Sequence, residues 1–270
     1  MDNRSIGVFD SGIGGLTMVR EMMNIMPFES VVYFGDTGRV PYGTKSYETV
    51  KKYAESDIRF LMQFDLKMII AACGTVSSIA LGEIEGNYNI PVFGVCEAAA
   101  KAAAKNTKNG RIGIIGTGAT IKSDFYARLI GKIDKEIYTI SRACPLFVPL
   151  VENGYSDSDA ALLIARDYLL PLMEDGVDTI ILGCTHYPHL ENTIKKVAGD
   201  NVKLINPSQE TAVYIKEYLK TNEMEAEKSE KGNYRFYASD DIFSFADLGS
   251  KFLDRKIDKD IFKVDIEKYV

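Results

Sequence analysis

The sequence predicts an α/β fold built as two related halves, and three observations carry that prediction. Short apolar runs alternate with helix-length segments along the whole chain, the pattern of βαβ units and a parallel sheet. Two runs end alike: 68–75 reads MIIAACGT and 180–187 reads IILGCTHY, each an apolar run closed by a cysteine with a threonine just after it. Two others begin alike: 6–12 reads IGVFDSG and 112–118 reads IGIIGTG. From Gly7 to Gly113 the offset is 113 − 7 = 106, and from Cys73 to Cys184 it is 184 − 73 = 111. Offsets this close point to a duplicated unit with a few residues inserted; chance similarity of two α/β segments is the alternative.

Taken in order, 6–9 is a first strand, and the glycine-rich turn Asp10-Ser11-Gly12-Ile13-Gly14-Gly15 leads into a helix over 16–26. The glycines do not fit a dinucleotide fingerprint, because position 17 is Thr where Gly is needed. They fit either a tight βα turn or backbone N–H groups offered to an anion such as a carboxylate. A strand at 31–34 opens into a turn-rich loop over 35–43, which contains Pro41, Tyr42 and Gly43. An amphipathic helix at 47–63 leads to the Met68 strand and Cys73, and further helices follow at 77–85 and 98–104 around a strand at 92–95. The second half repeats the pattern: a strand at 111–116 with Thr117 and Thr120 beyond it, a strand at 137–140, a proline-bounded loop over 145–154 carrying Glu152, and a helix at 159–173. After the Cys184 stretch come a helix at 191–197, a strand at 202–205, and the turn Asn206-Pro207-Ser208, where the chain returns to the first half. A helix at 210–219, a polar loop over 221–233, a strand at 234–238 and a helix at 243–253 complete it. The domains expected are therefore 1–96 with 208–270, carrying Cys73, and 97–207, carrying Cys184.

Bulk properties narrow the function. Hydrophobic content of 46% is ample for a core, and a net charge of −6 with no basic stripe argues against a nucleic-acid partner. No apolar stretch approaches the roughly 18 residues of a membrane span. The N-terminus enters a strand with no leader-like pattern. Four cysteines in a chain this long are free thiols in a reduced, cytoplasmic setting rather than a disulfide framework.

Three chemistries fit the cysteines. Cys73, Cys184, His186 and His189 offer thiolate and imidazole ligands for zinc, but Cys-x-His is poor spacing for one ion and no Cys-x-x-Cys exists. Cys184 with His186 as base makes a nucleophilic hydrolase, since residues two apart on an extended chain point the same way; that leaves Cys73 idle. Two equivalent thiols facing one carbon from opposite sides make an inverting acid–base pair, one removing a proton while the other delivers one. Cys96 and Cys144 lack polar company and read as small buried hydrophobes.

Along essentially the whole chain the sequence resembles the cofactor-independent aspartate/glutamate racemase superfamily, and glutamate racemases within it. The resemblance rests on FDSGIGGLT at 9–17, GDT at 35–37 with Arg39 and Pro41-Tyr42-Gly43, Ala72-Cys73 with Thr75, Gly116-Thr117 with Ala119-Thr120, the stretch 144–152, and GCTHYP at 183–188. It implies two pseudo-symmetric three-layer α/β domains with parallel-rich sheets and the active site in the interdomain cleft, a pocket sized for one small amino acid. It implies interconversion of L- and D-glutamate without PLP, metal or other cofactor, supplying D-glutamate for bacterial peptidoglycan, in a cytoplasmic homodimer with no nucleic-acid or membrane partner. Residue by residue, Cys73 resembles the base acting on D-glutamate and Cys184 the one acting on L-glutamate. Asp10 and His186 resemble their assisting groups, with Glu152 near the second. Ser11, Pro41, Tyr42, Gly43, Thr75, Thr117, Thr120 and Thr185 resemble substrate contacts, as do Asp10 and His186. Position 74 departs: the family usually has Asn, and Gly74 removes a side-chain amide expected to touch substrate, so restoring it is expected to lower KM. Ala98-Ala99 stands where Pro-Gly is usual, and Gly38 where Ala is. A racemase-like fold kept as a binding or regulatory protein, and relatives acting on aspartate or hydantoins, are the alternatives.

Overall fold

The computed structural model describes residues 1–227, 229–257 and 261–270. Position 228, within the polar segment 221–233, lies outside the described residues. The chain begins with β1 (Ser5–Asp10), α1 (Leu16–Ile25), β2 (Val31–Gly35), α2 (Tyr47–Leu61), β3 (Leu66–Ala71), the short α3 (Gly74–Ile79) and α4 (Leu81–Ile84), and β4 (Val92–Gly94). It continues through α5 (Cys96–Asn106), β5 (Arg111–Gly116), α6 (Gly118–Lys122), α7 (Phe125–Ile133), β6 (Tyr138–Ala143), α8 (Phe147–Glu152), α9 (Asp159–Glu174), β7 (Thr179–Gly183), α10 (Glu191–Ala198) and β8 (Lys203–Ile205). It closes with α11 (Pro207–Thr221), β9 (Tyr234–Ala238), α12 (Ile242–Leu253) and β10 (Ile261–Lys263).

Two sheets result, a six-stranded one ordered β10-β9-β2-β1-β3-β4 and a four-stranded one ordered β6-β5-β7-β8. Every pairing in both is parallel. The path β2-β1-β3-β4 is repeated as β6-β5-β7-β8, so the duplication read from the offsets is a duplication of topology. β9 and β10 extend only the first sheet, on the β2 side.

Burial explains why these runs are strands. Along β1 and β3, alternate side chains enter different cores: Val8, Met68 and Ile70 pack on one face, and Phe9, Ile69 and Ala71 on the other. The second sheet divides likewise, with Ile115, Ile180 and Leu182 facing the core that also takes Val8, and Ile112, Ile114 and Ile181 facing a third. One core thus runs continuously between the sheets. Several helices start where the chemistry of their ends dictates. Ser46 and Ser158 accept the N–H groups of Thr49 and Ala161 at the heads of α2 and α9, and Asn206 caps α11 with Pro207 in its first turn.

Four expectations change. The proline-bounded segment 145–154 contains α8, because Pro149 sits in its first turn, where a missing N–H leaves no bond broken. The helix expected over 77–85 is two short helices meeting at Ala80, the first starting at Gly74. α5 begins at Cys96, so the alanine-rich run is its middle rather than its start. β10 was not foreseen, because a strand of three residues ending in lysine carries little pattern.

Candidate active site

Cys73 and Cys184 occupy matching places. Each follows the strand next to the first strand of its unit, β3 beside β1 and β7 beside β5, at the carboxyl end where open α/β sheets place ligands. Cys73 caps α3, and Cys184 precedes the 3₁₀ turn Tyr187–Leu190. All four cysteines are free, and both of these are buried, 5% and 9% exposed. The charge of Cys184 is among the smaller influences that raise the Cys73 thiol.

Around Cys73 the groups come from β1 and its turn. Ser11 Oγ lies 3.6 Å from the Cys73 sulfur. Asp10 is 1% exposed; its Oδ2 accepts the N–H of Gly12 at 3.1 Å, while Oδ1 has no hydrogen-bond partner. Burial raises the Asp10 carboxyl above its ordinary value, against the opposing pull of His186 and the N–H groups of Gly15, Gly12 and Ser11. Burial first, and then the charge of Asp10, push the Cys73 thiol up to about 12.

Around Cys184 the company is cationic. His186 Nδ1 lies 3.9 Å from the Cys184 sulfur, and His186 Nε2 lies 3.0 Å from Glu152 Oε1 at the end of α8. Burial opposes the imidazolium, but its bonds to Cys184 and Glu152 outweigh that cost and hold His186 up to about 10. One thiol therefore sits beside a carboxyl and the other beside an imidazolium, an asymmetry suited to an acid and a base in one site.

Hydroxyls line the junction. Thr75 Oγ1 lies 3.0 Å from Thr117 Oγ1, which lies 3.0 Å from Thr120 Oγ1 and accepts the Thr120 N–H at 3.2 Å as the cap of α6. This run of hydroxyls crosses from the lobe built on the six-stranded sheet, the first, to the lobe built on the four-stranded sheet, the second. Thr185 is 8% exposed. Gly43 presses on Thr117, so closely that a Cβ there would stand 2.7 Å from the threonine Cβ. Pro41 is exposed. The Tyr42 hydroxyl is engaged inside the first lobe, donating to Asp36 Oδ2 and lying 3.1 Å from Asp57 Oδ2.

Gly74 does not face open space either. A Cβ at this position would lie 2.6 Å from the Gly183 carbonyl oxygen. The expected gap for an amide is filled by the backbone of the second lobe. A small space bounded by Ala72, Gly74, Val95, Gly183, Cys184, Thr185, Pro207 and Ser208 lies beside Cys184 and does not reach Cys73; both thiols are buried at the junction. A hollow of about 400 Å³ does open beyond α3, lined by Ser77, Gly94, Cys96, Glu97, Lys101 and Tyr214 among others, but neither Cys73 nor Cys184 borders it. Among the described residues no group of three or more His, Cys, Asp or Glu has metal-binding geometry, so Cys73, Cys184, His186 and His189 do not converge as a ligand set. Nor is any helix among them long and apolar enough to cross a membrane.

Sequence reading gave no role to Asp36 and Arg39 and did not single out Asp57; together they fix the loop carrying Pro41 to Gly43. Arg39 Nε reaches Asp36 Oδ2 at 2.6 Å and Nη2 reaches Asp57 Oδ1 at 2.9 Å. The available signal was a carboxylate on the apolar face of α2, one position before Ile58. His189 was weighed only as a zinc ligand and Thr17 was given no role, yet both border the site: Thr17 Oγ1 lies 2.8 Å from the Thr185 carbonyl oxygen and 3.1 Å from His189 Nε2.

The model of the Asp/Glu/hydantoin racemase family matches residues 6–215. A glutamate racemase of Geobacter metallireducens is 46% identical over 264 residues, spanning 98% of this chain and 97% of its own. The crystal structure of glutamate racemase isoform RacE1 from Bacillus anthracis superposes with a TM-score of 0.94 at 37% identity, covering 98% of each chain. Glutamate racemase of Francisella tularensis, crystallised in complex with D-glutamate, superposes with a TM-score of 0.92 at 38% identity over 100% of each chain.

Proposed function

This chain belongs to the Asp/Glu/hydantoin racemase family, and from that premise we propose that it interconverts L- and D-glutamate by proton transfer between two thiols. The observation that carries the proposal is the placement of Cys73 and Cys184 at equivalent strand ends of two duplicated sheets. The domains are 1–96 with 208–270, and 97–207, with the active site between them.

Held up to about 12, the Cys73 thiol starts as the proton donor. Cys184, with the His186 imidazolium at 3.9 Å, starts as the base. With L-glutamate bound, the Cys184 thiolate takes the α-proton and the C–H electron pair stays on carbon, delocalised into the adjacent carboxylate. The Cys73 S–H then delivers its proton to the opposite face. D-glutamate leaves a Cys184 thiol and a Cys73 thiolate, the pair required for the reverse reaction. Glu152 holds the imidazolium in place, and Asp10 favours the protonated thiol of Cys73. Ser11, Thr75, Thr117, Thr120 and Thr185, with the backbone at Pro41, Tyr42, Gly43 and Gly74, bind the two carboxylates and the ammonium group. Binding requires the lobes to part and close again over the substrate, excluding water from the reacting carbon. The reaction proceeds without metal or organic cofactor. Its product feeds peptidoglycan synthesis and cell-wall shape in a bacterial cytoplasm, and the working unit is a homodimer.

Circular dichroism of L- and D-glutamate solutions, with aspartate in parallel and no added cofactor, tests this. Both glutamate enantiomers should decay to the same racemic endpoint while aspartate persists. Racemisation of aspartate in preference would overturn the substrate assignment.

A further inference from the structure

Thr17 has no role in the proton transfer, yet its side chain is fully buried and reaches from one lobe to the other. It stands in the first turn of α1, with its own N–H donating to the Gly14 carbonyl at 3.0 Å. Its Oγ1 lies 2.8 Å from the carbonyl oxygen of Thr185, the residue between Cys184 and His186. The same Oγ1 lies 3.1 Å from His189 Nε2. A hydroxyl has one proton, and a carbonyl only accepts, so Thr17 donates to Thr185 and His189 Nε2–H donates to Thr17. His189 therefore carries a proton on Nε2. Burial first, and then the nearby charges of Arg20 and His186, push His189 down to about 4, so the ring is the neutral Nε2–H tautomer at neutral pH. Its ring is held against Phe252 of α12 at 4.1 Å between centroids, and its backbone N–H donates to the His186 carbonyl at 3.0 Å. A directed chain thus runs from His189 through Thr17 to the peptide that carries both Cys184 and His186.

We propose that Thr17 and His189 are positioning residues that orient the Cys184-Thr185-His186 turn and engage only when the lobes close. The chain crosses between the lobes at one of their tightest approaches: a Cβ on Gly14 would stand 2.5 Å from His186 Nδ1. Closure and the aiming of Cys184 are then one event. The Cys73 side has no corresponding bond to Thr17, so losing the clamp weakens proton transfer at the Cys184 face first. This inference rests on the racemase reading for its kinetic consequence, but not for the clamp itself.

The test compares Thr17→Val, which keeps the shape and loses the hydroxyl, with Thr17→Ser, which keeps the hydroxyl. Thr17→Val should slow racemisation about ten- to a hundredfold, the usual cost of a small misplacement of a reacting group. The primary isotope effect on kcat/KM should rise with α-deuterated L-glutamate and fall with α-deuterated D-glutamate, because Cys184 now limits the rate. Thr17→Ser should recover the rate and both isotope effects. Amide hydrogen exchange needs no turnover, and in Thr17→Val it should speed up across 184–190 while 74–79 keeps its protection. That arm reads the clamp even in a protein inactive on glutamate, whereas inactivity of the unaltered chain strikes only the substrate assignment. Should Thr17→Val fail to fold, His189→Leu removes the donor to the same hydroxyl and is read in the same way. Unchanged exchange over 184–190, isotope effects that do not move apart, or no recovery in Thr17→Ser would overturn the proposal.

Discussion

At the residue scale, the two histidines of this chain behave oppositely, and each is a separate probe. His186 is held up to about 10 and His189 is pushed down to about 4, from an ordinary value of 6.5. A base whose folded value is raised stabilises fully below 6.5, and that contribution is lost as pH rises through about 10. His189 is buried neutral, so the unfolded chain gains a proton it lacks once pH falls below 6.5, and stability declines until about 4. Two imidazole Cε1–H resonances should therefore titrate on opposite sides of 6.5 in the NMR spectrum. Glu152→Gln should move the higher one downward, since Glu152 is one of the groups holding it up. Two histidines titrating together near 6.5 would contradict this picture of the site. The residues at strand tips were the most legible from sequence. Cys73 with Thr75 and Cys184 with Thr185 and His186 break apolar runs abruptly, and a local break needs no tertiary knowledge to be seen.

At the scale of elements, legibility fell wherever side chains far apart in sequence meet. The loop between β2 and α2 reads only as turn-rich, yet it is fastened by Arg39, whose guanidinium bonds both Asp36 and Asp57. Both carboxylates are fully buried, and Arg39 is also 4.2 Å from the Tyr53 ring centre. Burial first, and then Asp36, push the Asp57 carboxyl well above its ordinary value, with Arg39 and Tyr42 pulling it back. Arg39→Ala removes that compensation and should cost about 3–5 kcal/mol, as breaking a buried ion pair does. Urea unfolding would read this as a lower midpoint with unchanged slope. KM should rise as well, because the same loop presents Pro41 to Gly43. A loss under about 1 kcal/mol, the worth of an exposed pair, would mean the network is open to water. α8 was hidden for a different reason: Pro145 and Gly154 bound its segment and Pro149 interrupts it, and only the position of Pro149 in the first turn makes a helix possible.

At the scale of the molecule, the lobes meet through glycines. Gly14 abuts Thr185 and His186, Gly43 abuts Thr117, and Gly74 abuts the Gly183 carbonyl. Nothing local in the sequence reveals this, because each contact depends on where a distant lobe stops. It reverses the expectation for position 74. An asparagine there should hold the lobes apart and lower kcat/KM about tenfold or more, with no gain in KM. Steady-state kinetics of Gly74→Asn decide it, and a lower KM would restore the idea of a missing amide contact. The central claim is that each lobe supplies one thiol to opposite faces of a single carbon. Its most direct measurement is α-proton exchange in D₂O, followed by NMR, for Cys73→Ser and Cys184→Ser. Neither variant should racemise, since serine is too weak an acid to take over from the thiol. Cys184→Ser should exchange the α-proton of D-glutamate only, and Cys73→Ser that of L-glutamate only. Full racemisation by either variant would contradict the two-thiol mechanism, and exchange with the opposite enantiomers would reverse the assignment of the faces.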